Sequence, residues 1–375
     1  MNITTNHRKV RSIAGLVLAA TLVAAGCGSD DDSGSDDTTA GTTADGGSTA
    51  GTTPDAGTAA EGDGDGPSFI YLPPTPIGGN PFLELGLAGT EAAAEAHGGT
   101  ATMFESTDLN SRRANLEAAI EESPDIIVMN TFDFTDLALE FSAATPDQEF
   151  ILIDACPEAP PANLHCGVFR EYEGAYLLGI MAGSLTESGQ VGSVGALDIP
   201  FIHRYTDSFA LGAQSVNPEV TDSQVFIGGE SPFTDPARAK EQALSLSAQG
   251  VDHIFAVGSG SNGGVFEAAT EEGFFSYGVD INECPAAPGQ VVDNNLKLVD
   301  AVVEQLIDAV LAGEAESVVS FGLAEGAMGV IALSDDLADS GCVIADHPEI
   351  IEQVQAAYDE IVAGTLEIPD PLTGG

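Results

Sequence analysis

Positive charge is scarce in this chain. Ten Lys and Arg stand against 59 Asp and Glu in 375 residues, a formal net charge of −49. Arg8, Lys9 and Arg11 sit at the very start, so Arg112, Arg113, Arg170, Arg204, Arg238, Lys240 and Lys297 are the cations of everything downstream. No basic stripe exists to displace counterions from phosphates, which excludes nucleic acid as a partner. The same surface is unsuited to anionic lipid; it fits solubility in a salty medium, a statement about environment and not about fold. Catalytic signatures are missing too: there is no GxSxG elbow, HExxH pair or P-loop, and six histidines are scattered. With no paired carboxylates to act as acid and base, an enzyme is not expected. Five cysteines include no CxxC pair and none in ligand register with a histidine, so no metal and no cofactor is expected.

What is present begins with residues 12–25, fourteen uncharged and mostly apolar positions running into Ala24-Ala25-Gly26-Cys27 behind the basic cluster. A basic flank, a short apolar stretch and small residues before a cysteine make an export signal, not a membrane span. The small residues directly before Cys27 resemble the lipobox of bacterial lipoproteins, although Ala24 stands where leucine is preferred and the leucine is Leu22. That resemblance implies a signal peptide over 1–26 and a lipidated Cys27 holding the protein on the extracytoplasmic face of the cell membrane. The alternative is an ordinary secretory signal with a chance cysteine. Residues 27–66 are Gly, Ser, Thr, Ala and Asp with almost no large apolar side chain, and 28–67 hold ten acids and no base. Such a segment cannot bury a core and reads as a disordered, self-repelling tether.

The other four cysteines, Cys156, Cys166, Cys284 and Cys342, allow three disulfide pairings in an oxidising compartment. Cys156 and Cys166 flank a proline-rich turn that could close a small loop, leaving Cys284 for Cys342. From residue 67 onward, short β-branched runs at 69–72, 125–129, 150–153, 191–197, 253–257 and 274–279 read as parallel strands covered on both faces. Helical patterns lie between them at 82–96, 112–122, 173–185, 200–215, 236–248, 265–272 and 298–311. Asn80 with Pro81 and Asp235 with Pro236 are start signals; Gly98-Gly99, Gly273 and Gly313 are stops. This rhythm exceeds one comfortable core, so two α/β lobes are expected.

The sharpest local motif is Gly258-Ser259-Gly260-Ser261-Asn262-Gly263, following a strand and opening a helix, with Asp280 at the end of the next strand. Alone, this GxGxxG pattern reads as a dinucleotide site of an NAD-type oxidoreductase. Its place deep in an exported chain argues against that. The physics persists: Gly258 and Gly260 let a ligand approach backbone N–H groups, and the Asp280 carboxylate can accept both hydrogens of a vicinal diol such as a ribose.

Several pieces then occur in order: Phe169-Arg170-Glu171-Tyr172-Glu173-Gly174, Gly195 to Pro200 with Arg204, Ser231 to Ala237, Gly258 to Phe266, Gly278-Val279-Asp280 and Asn294-Asn295-Leu296-Lys297. Together they resemble the basic membrane protein family of lipoproteins, whose purine-nucleoside-binding members feed ABC importers. The resemblance implies an α/β type I periplasmic-binding-protein fold, two Rossmann-like lobes joined by a three-stranded hinge. The lobes are expected at 67–168 plus 286–318 and at 169–285 plus 319–375. It further implies a nucleoside-like small-molecule ligand, an ABC permease and ATPase as partners, and ribose contacts from Asp280 and Lys297. A surface receptor, adhesin or sensory protein on the same fold is the alternative. The family's aspartate and asparagine at the first strand-to-helix turn are replaced by Gly79 and Leu83. Phe82 keeps a ring to stack on a base, and Asn80 or Asn130 is left to contact it, so discrimination among bases is expected to be shallow.

Overall fold

The structure, a computed structural model, describes residues 66–372. The leader, Cys27 and most of the tether lie outside the described residues.

The chain alternates strand and helix: β1 (Ser68–Leu72), α1 (Pro81–His97), β2 (Thr100–Met103), α2 (Leu109–Glu122), β3 (Ile126–Asn130), α3 (Thr135–Ala144), β4 (Glu149–Ile153) and β5 (Leu164–Phe169). It continues through α4 (Glu171–Leu185), β6 (Gln190–Gly195), α5 (Pro200–Val216), β7 (Thr221–Phe226), α6 (Pro236–Ser247), β8 (His253–Val257), α7 (Asn262–Glu272), β9 (Phe275–Asp280) and β10 (Val291–Lys297). Then come α8 (Val299–Ala312), β11 (Val318–Phe321), β12 (Met328–Val330) and α9 (Pro348–Val362). Two six-stranded sheets result, ordered β11-β5-β4-β3-β1-β2 and β12-β10-β9-β8-β6-β7, with β12 the antiparallel edge. The central strands are apolar on both faces because helices cover both: every residue of Ile126–Asn130 and of His253–Val257 is buried.

Local signals act as the sequence implies. The Asn80 side chain accepts from Leu83 N at 3.3 Å with Pro81 at the first turn, and Gly98 ends α1 at φ 65°. Asp235 likewise accepts from Arg238 N at 3.1 Å to start α6. Cys156 is bonded to Cys166 and Cys284 to Cys342, the first closing the turn between β4 and β5 and the second tying the turn after β9 to the segment before α9.

One grouping differs from expectation. Residues 286–318 are expected in the first lobe and 319–375 in the second, yet β10 pairs in parallel with β9 of the second sheet, Asn294 opposite Gly278 and Leu296 opposite Asp280, and β11 stays in the first sheet as far as Phe321. The chain passes to the first sheet only after Lys297: α8 packs on α1, and β11 pairs with β5. The reason lies in the side chains of β10. β10 carries Asp293, Asn294 and Asn295, all fully buried, and their partners belong to the second lobe. Asp293 accepts from Ile331 N and Ala332 N, and Asn295 donates to the Glu171 carbonyl.

α4 and α5 approach more closely than ordinary side chains permit. A Cβ on Gly179 would stand 2.1 Å from the Phe209 carbonyl oxygen, and one on Gly212 would stand 2.0 Å from that of Tyr176. α5 is thereby held along α4, and its Arg204 reaches Glu171 in the first turn of α4.

Candidate functional site

The loops that follow the carboxyl ends of the strands in both sheets enclose one cavity of about 470 Å³, where open α/β sheets place their ligands. The backbone itself marks the place. Thr131, Asp154, Ser259 and Asp280 have φ of 82°, 75°, 49° and 69°, and all four side chains line the cavity. They follow or end β3, β4, β8 and β9, two in each lobe. Left-handed backbone at non-glycine residues costs on the order of 1–3 kcal/mol each and persists where surrounding structure imposes it.

Asp280 is 6% exposed. Its Oδ2 accepts from Ser259 Oγ at 3.0 Å, and the same hydroxyl lies 3.0 Å from Asn80 Oδ1 across the cleft. Asn80 Oδ1 is held as an acceptor by Leu83 N, so one hydroxyl hydrogen is shared between two acceptors. Burial pushes the Asp280 carboxyl above its usual range against the pull of Lys297. The carboxylate is therefore short of donors and faces a cavity from which donors can come.

Lys297 ends β10 and is 1% exposed. Its ammonium donates to Asp154 Oδ1, to Glu171 Oε1 at 3.0 Å and to the Tyr205 hydroxyl at 3.4 Å. It lies 4.8, 4.5 and 5.5 Å from the ring centroids of Phe82, Phe169 and Phe201. Burial alone would lower its pKa, but the surrounding carboxylates hold it well above the ordinary amine range. Sequence reasoning paired Lys297 with Asp280 around a diol. In the structure the two line one cavity, but the direct partners of Lys297 are Asp154 and Glu171. Phe82, expected beneath a base, gives a ring face to the ammonium, and the ring pair spanning the lobes is Phe132 with Phe201, centroids 5.7 Å apart.

Three expected contacts lie elsewhere. Asn130 is fully buried behind α1, donating Nδ2 to the Tyr71 hydroxyl, whose own proton goes to the Leu83 carbonyl. Gly258 packs under Ile227, where a Cβ would stand 2.9 Å from Cδ1, and its N–H donates to Asn262 Oδ1. Gly260 serves closure: a Cβ there would lie 2.4 Å from the Gly79 carbonyl oxygen of the opposite lobe. The glycine-rich turn is thus a seat for lobe contact, and none of these three residues lines the cavity. Asn80, Phe82, Asp280 and Lys297 do.

The far end of the cavity holds a pair that sequence reasoning missed. Arg112 donates Nε to the Pro74 carbonyl at 2.9 Å and Nη1 to Asp133 Oδ1 at 2.7 Å. In all, five carboxylates (Asp108, Asp133, Asp154, Glu230 and Asp280) and two cations (Arg112 and Lys297) line the space, an environment hostile to an anion. Among the described residues no group of three His, Cys, Asp or Glu side chains is placed to hold a metal ion.

A family model described as ABC transporter substrate-binding protein, PnrA-like, matches residues 69–362. The chain belongs to that family. Among curated relatives, basic membrane protein A of Borreliella burgdorferi is 27% identical over 258 residues, 67% of this chain and 75% of that protein. The ABC transporter nucleoside-binding protein BmpA of Lactococcus lactis is 23% identical over 287 residues, 72% of this chain and 78% of that protein. Among solved structures, an ABC transporter solute-binding protein from Aeropyrum pernix superposes with a TM-score of 0.69 at 25% identity, covering 81% of this chain and 93% of that one. The family and this solved structure are described as substrate- or solute-binding proteins, and the two-lobed periplasmic-binding-protein fold is shared.

In this substrate-binding protein the cleft is wired to the crossings between lobes. Glu171 Oε2 accepts from Arg204 Nη1 at 2.9 Å, and Arg204 also donates to the Phe169 carbonyl and to both oxygens of Asp370 near the C-terminus, at 2.8 and 2.6 Å. Alternating charges thus run from Asp154 through Lys297, Glu171 and Arg204 to Asp370. Arg170, where the chain passes from β5 to α4, ties that passage to the one after β11, donating to Glu173, to the Ser320 carbonyl and to Glu325.

Proposed function

We propose that this protein is the lipid-anchored, extracytoplasmic solute-binding component of an ABC importer, and that its cleft captures a ribonucleoside or a closely related ribose-bearing solute. The observation that carries the ligand reading is Asp280, a buried, donor-poor carboxylate facing a cavity walled by Phe82, Phe132 and Phe201. A vicinal diol supplies the two missing donors, and a flat base matches aromatic walls. The excess of carboxylates over cations supports a neutral solute and disfavours its phosphorylated forms. The anchoring reading rests on the leader and Cys27; no helix among the described residues is long and apolar enough to cross a membrane.

Two experiments test this. In calorimetry, adenosine should bind more tightly than 2′-deoxyadenosine by about 1–3 kcal/mol, because a missing hydroxyl leaves Asp280 unpaired in a closed site. Asp280→Ala should weaken ribosides and erase that difference, and adenosine 5′-monophosphate should bind more weakly than adenosine. Equal affinity for the ribo and deoxy forms would sink the ribose reading. In the native host, Cys27→Ala should abolish acyl labelling and release the protein from membranes; unchanged labelling would refute the anchor.

A further inference from the structure

We propose that the Arg112–Asp133 pair reads the edge of the bound base and selects bases that present a carbonyl oxygen beside a ring N–H. Guanine-, hypoxanthine- and uracil-like bases have that lactam edge. Adenine- and cytosine-like bases present an amino group beside a bare ring nitrogen. The inference rests on the nucleoside reading above and deepens it.

The two side chains are built to stay where they are. Arg112 leaves the first turn of α2, and its Nε and Nη1 are spent on the Pro74 carbonyl and Asp133 Oδ1; Nη2 donates to none of the described residues. Asp133 follows β3 directly, and its Oδ2 accepts from Thr131 Oγ1 at 3.1 Å, with Thr131 itself fixed at φ 82°. Each carboxylate oxygen takes two hydrogen bonds, so Asp133 keeps acceptor capacity beside the guanidinium. A fixed N–H donor and a fixed oxygen acceptor therefore stand side by side on the wall of the cavity.

Position in the fold puts this pair at the opposite end from the sugar contacts. β2, which feeds α2, is the edge of the first sheet furthest from β5 and β11, after which the chain crosses to the second lobe, whereas β10, which ends in Lys297 and leads back to the first lobe, lies beside β9, which ends in Asp280. A solute whose diol meets Asp280 reaches toward Arg112 with its other end. There a lactam carbonyl accepts from Arg112 while its ring N–H donates to Asp133. An amino-bearing base turns both contacts around, setting N–H against N–H and lone pair against carboxylate. That mismatch discriminates more strongly than a lost methylene, because Arg112 and Asp133, part-buried on the wall, would be covered by the base with their polar groups unpaired. An anionic group is a poor alternative occupant for Arg112, since Asp133 already neutralises it and Asp108 lines the same wall. The turn at Gly79 carries no carboxylate of its own, and this pair places one on the cavity wall. Gly79 has φ 77°, so an aspartate restored there would be strained.

Calorimetry on the full chain with inosine, guanosine, uridine, adenosine, cytidine and N1-methylinosine tests the inference. Inosine should bind roughly 10- to 100-fold more tightly than adenosine. N1-methylinosine, which keeps the carbonyl and lacks the N–H, should fall to the level of adenosine. Arg112→Gln should bring inosine and adenosine together, and Asp133→Asn, which can donate where Asp cannot, should move the preference toward adenosine. The ligand series needs no variant to fold. If nucleosides bind with dependence on the ribose but inosine, N1-methylinosine and adenosine are alike, this inference fails and the nucleoside reading stands. If no nucleoside binds, both fail.

Discussion

Lys297→Met is expected to cost about 3–5 kcal/mol of folding stability and to abolish ligand binding. Met fills a similar volume, so the loss is electrostatic. Asp154 and Glu171, at 5% and 0% side-chain exposure, would lose the cation between them, and Asp280 would lose its nearest positive charge. The effect carries a sign in pH. Burial already pushes the Glu171 carboxyl above its usual range with Lys297 present, and removing the ammonium pushes it further. A carboxyl with a higher pKa folded than unfolded binds more protons in the native state. Its destabilisation is absent below the unfolded value, about 4, and grows as pH rises toward the folded value. Thermal melts of the variant and the parent should therefore lie closest at acid pH and separate toward neutrality. Lys297→Arg, keeping the charge, should retain more stability than Lys297→Met. A gap between variant and parent that does not change with pH would show that the loss is one of packing.

How much of this was legible follows from what makes a residue visible in sequence. β1, β3, β4, β8 and β9 announce themselves because burial on both faces demands uninterrupted apolar runs. β10 does not. Val291-Val292-Asp293-Asn294-Asn295-Leu296-Lys297 looks like a polar loop, and it is a buried strand because its polar side chains find partners elsewhere, those of Asp293, Asn295 and Lys297 far away in the chain. The lobe boundary moved with it. Edge strands β2 and β7 hid for the opposite reason, being half-exposed and short of apolar runs.

The site divides in the same way. Asp280 was legible because it ends an apolar strand one βα unit after a glycine-rich turn, and Lys297 because cations are so scarce. Asp154 carries the same signal, a carboxylate directly after Phe150-Ile151-Leu152-Ile153, and scarcity of cations points equally to Arg112 and Arg204. What no spacing could reveal is pairing. Lys297 meets Asp154 from 143 residues away, and Arg204 meets Asp370 from 166 residues away. Glycine at a strand end signals close approach by something, and at Gly258 and Gly260 that something is a neighbouring side chain or the other lobe, while Asn130 is taken up by the Tyr71 hydroxyl.

The Cys284–Cys342 bond should be the more valuable of the two disulfides, although Cys156–Cys166 is the easier to read. Closing a loop of 58 residues contributes about 4 kcal/mol in the chain-entropy model, against about 3 kcal/mol for a separation of 10. The longer bridge also anchors a segment with little regular structure of its own, the short turns between β12 and α9. That segment and β10 hold each other. Asp293 accepts from Ile331 N at 2.7 Å and Ala332 N at 2.8 Å, and Asn282 Nδ2 donates to the Ser340 carbonyl at 3.1 Å. Asn294, three residues before Lys297, sets its amide 3.1 Å from Cys284 Sγ. Replacing both Cys284 and Cys342 by Ala should therefore lower the denaturant midpoint more than replacing both Cys156 and Cys166. It should also weaken ligand binding, because the strand that presents Lys297 loses its outer support. Hydrogen exchange should show faster opening of 331–346 and of β10 in the first double variant, with β4 and β5 unchanged. If the two double variants unfold at the same midpoint, or if exchange at β10 is unaffected, the segment is held by its hydrogen bonds and the bridge is incidental.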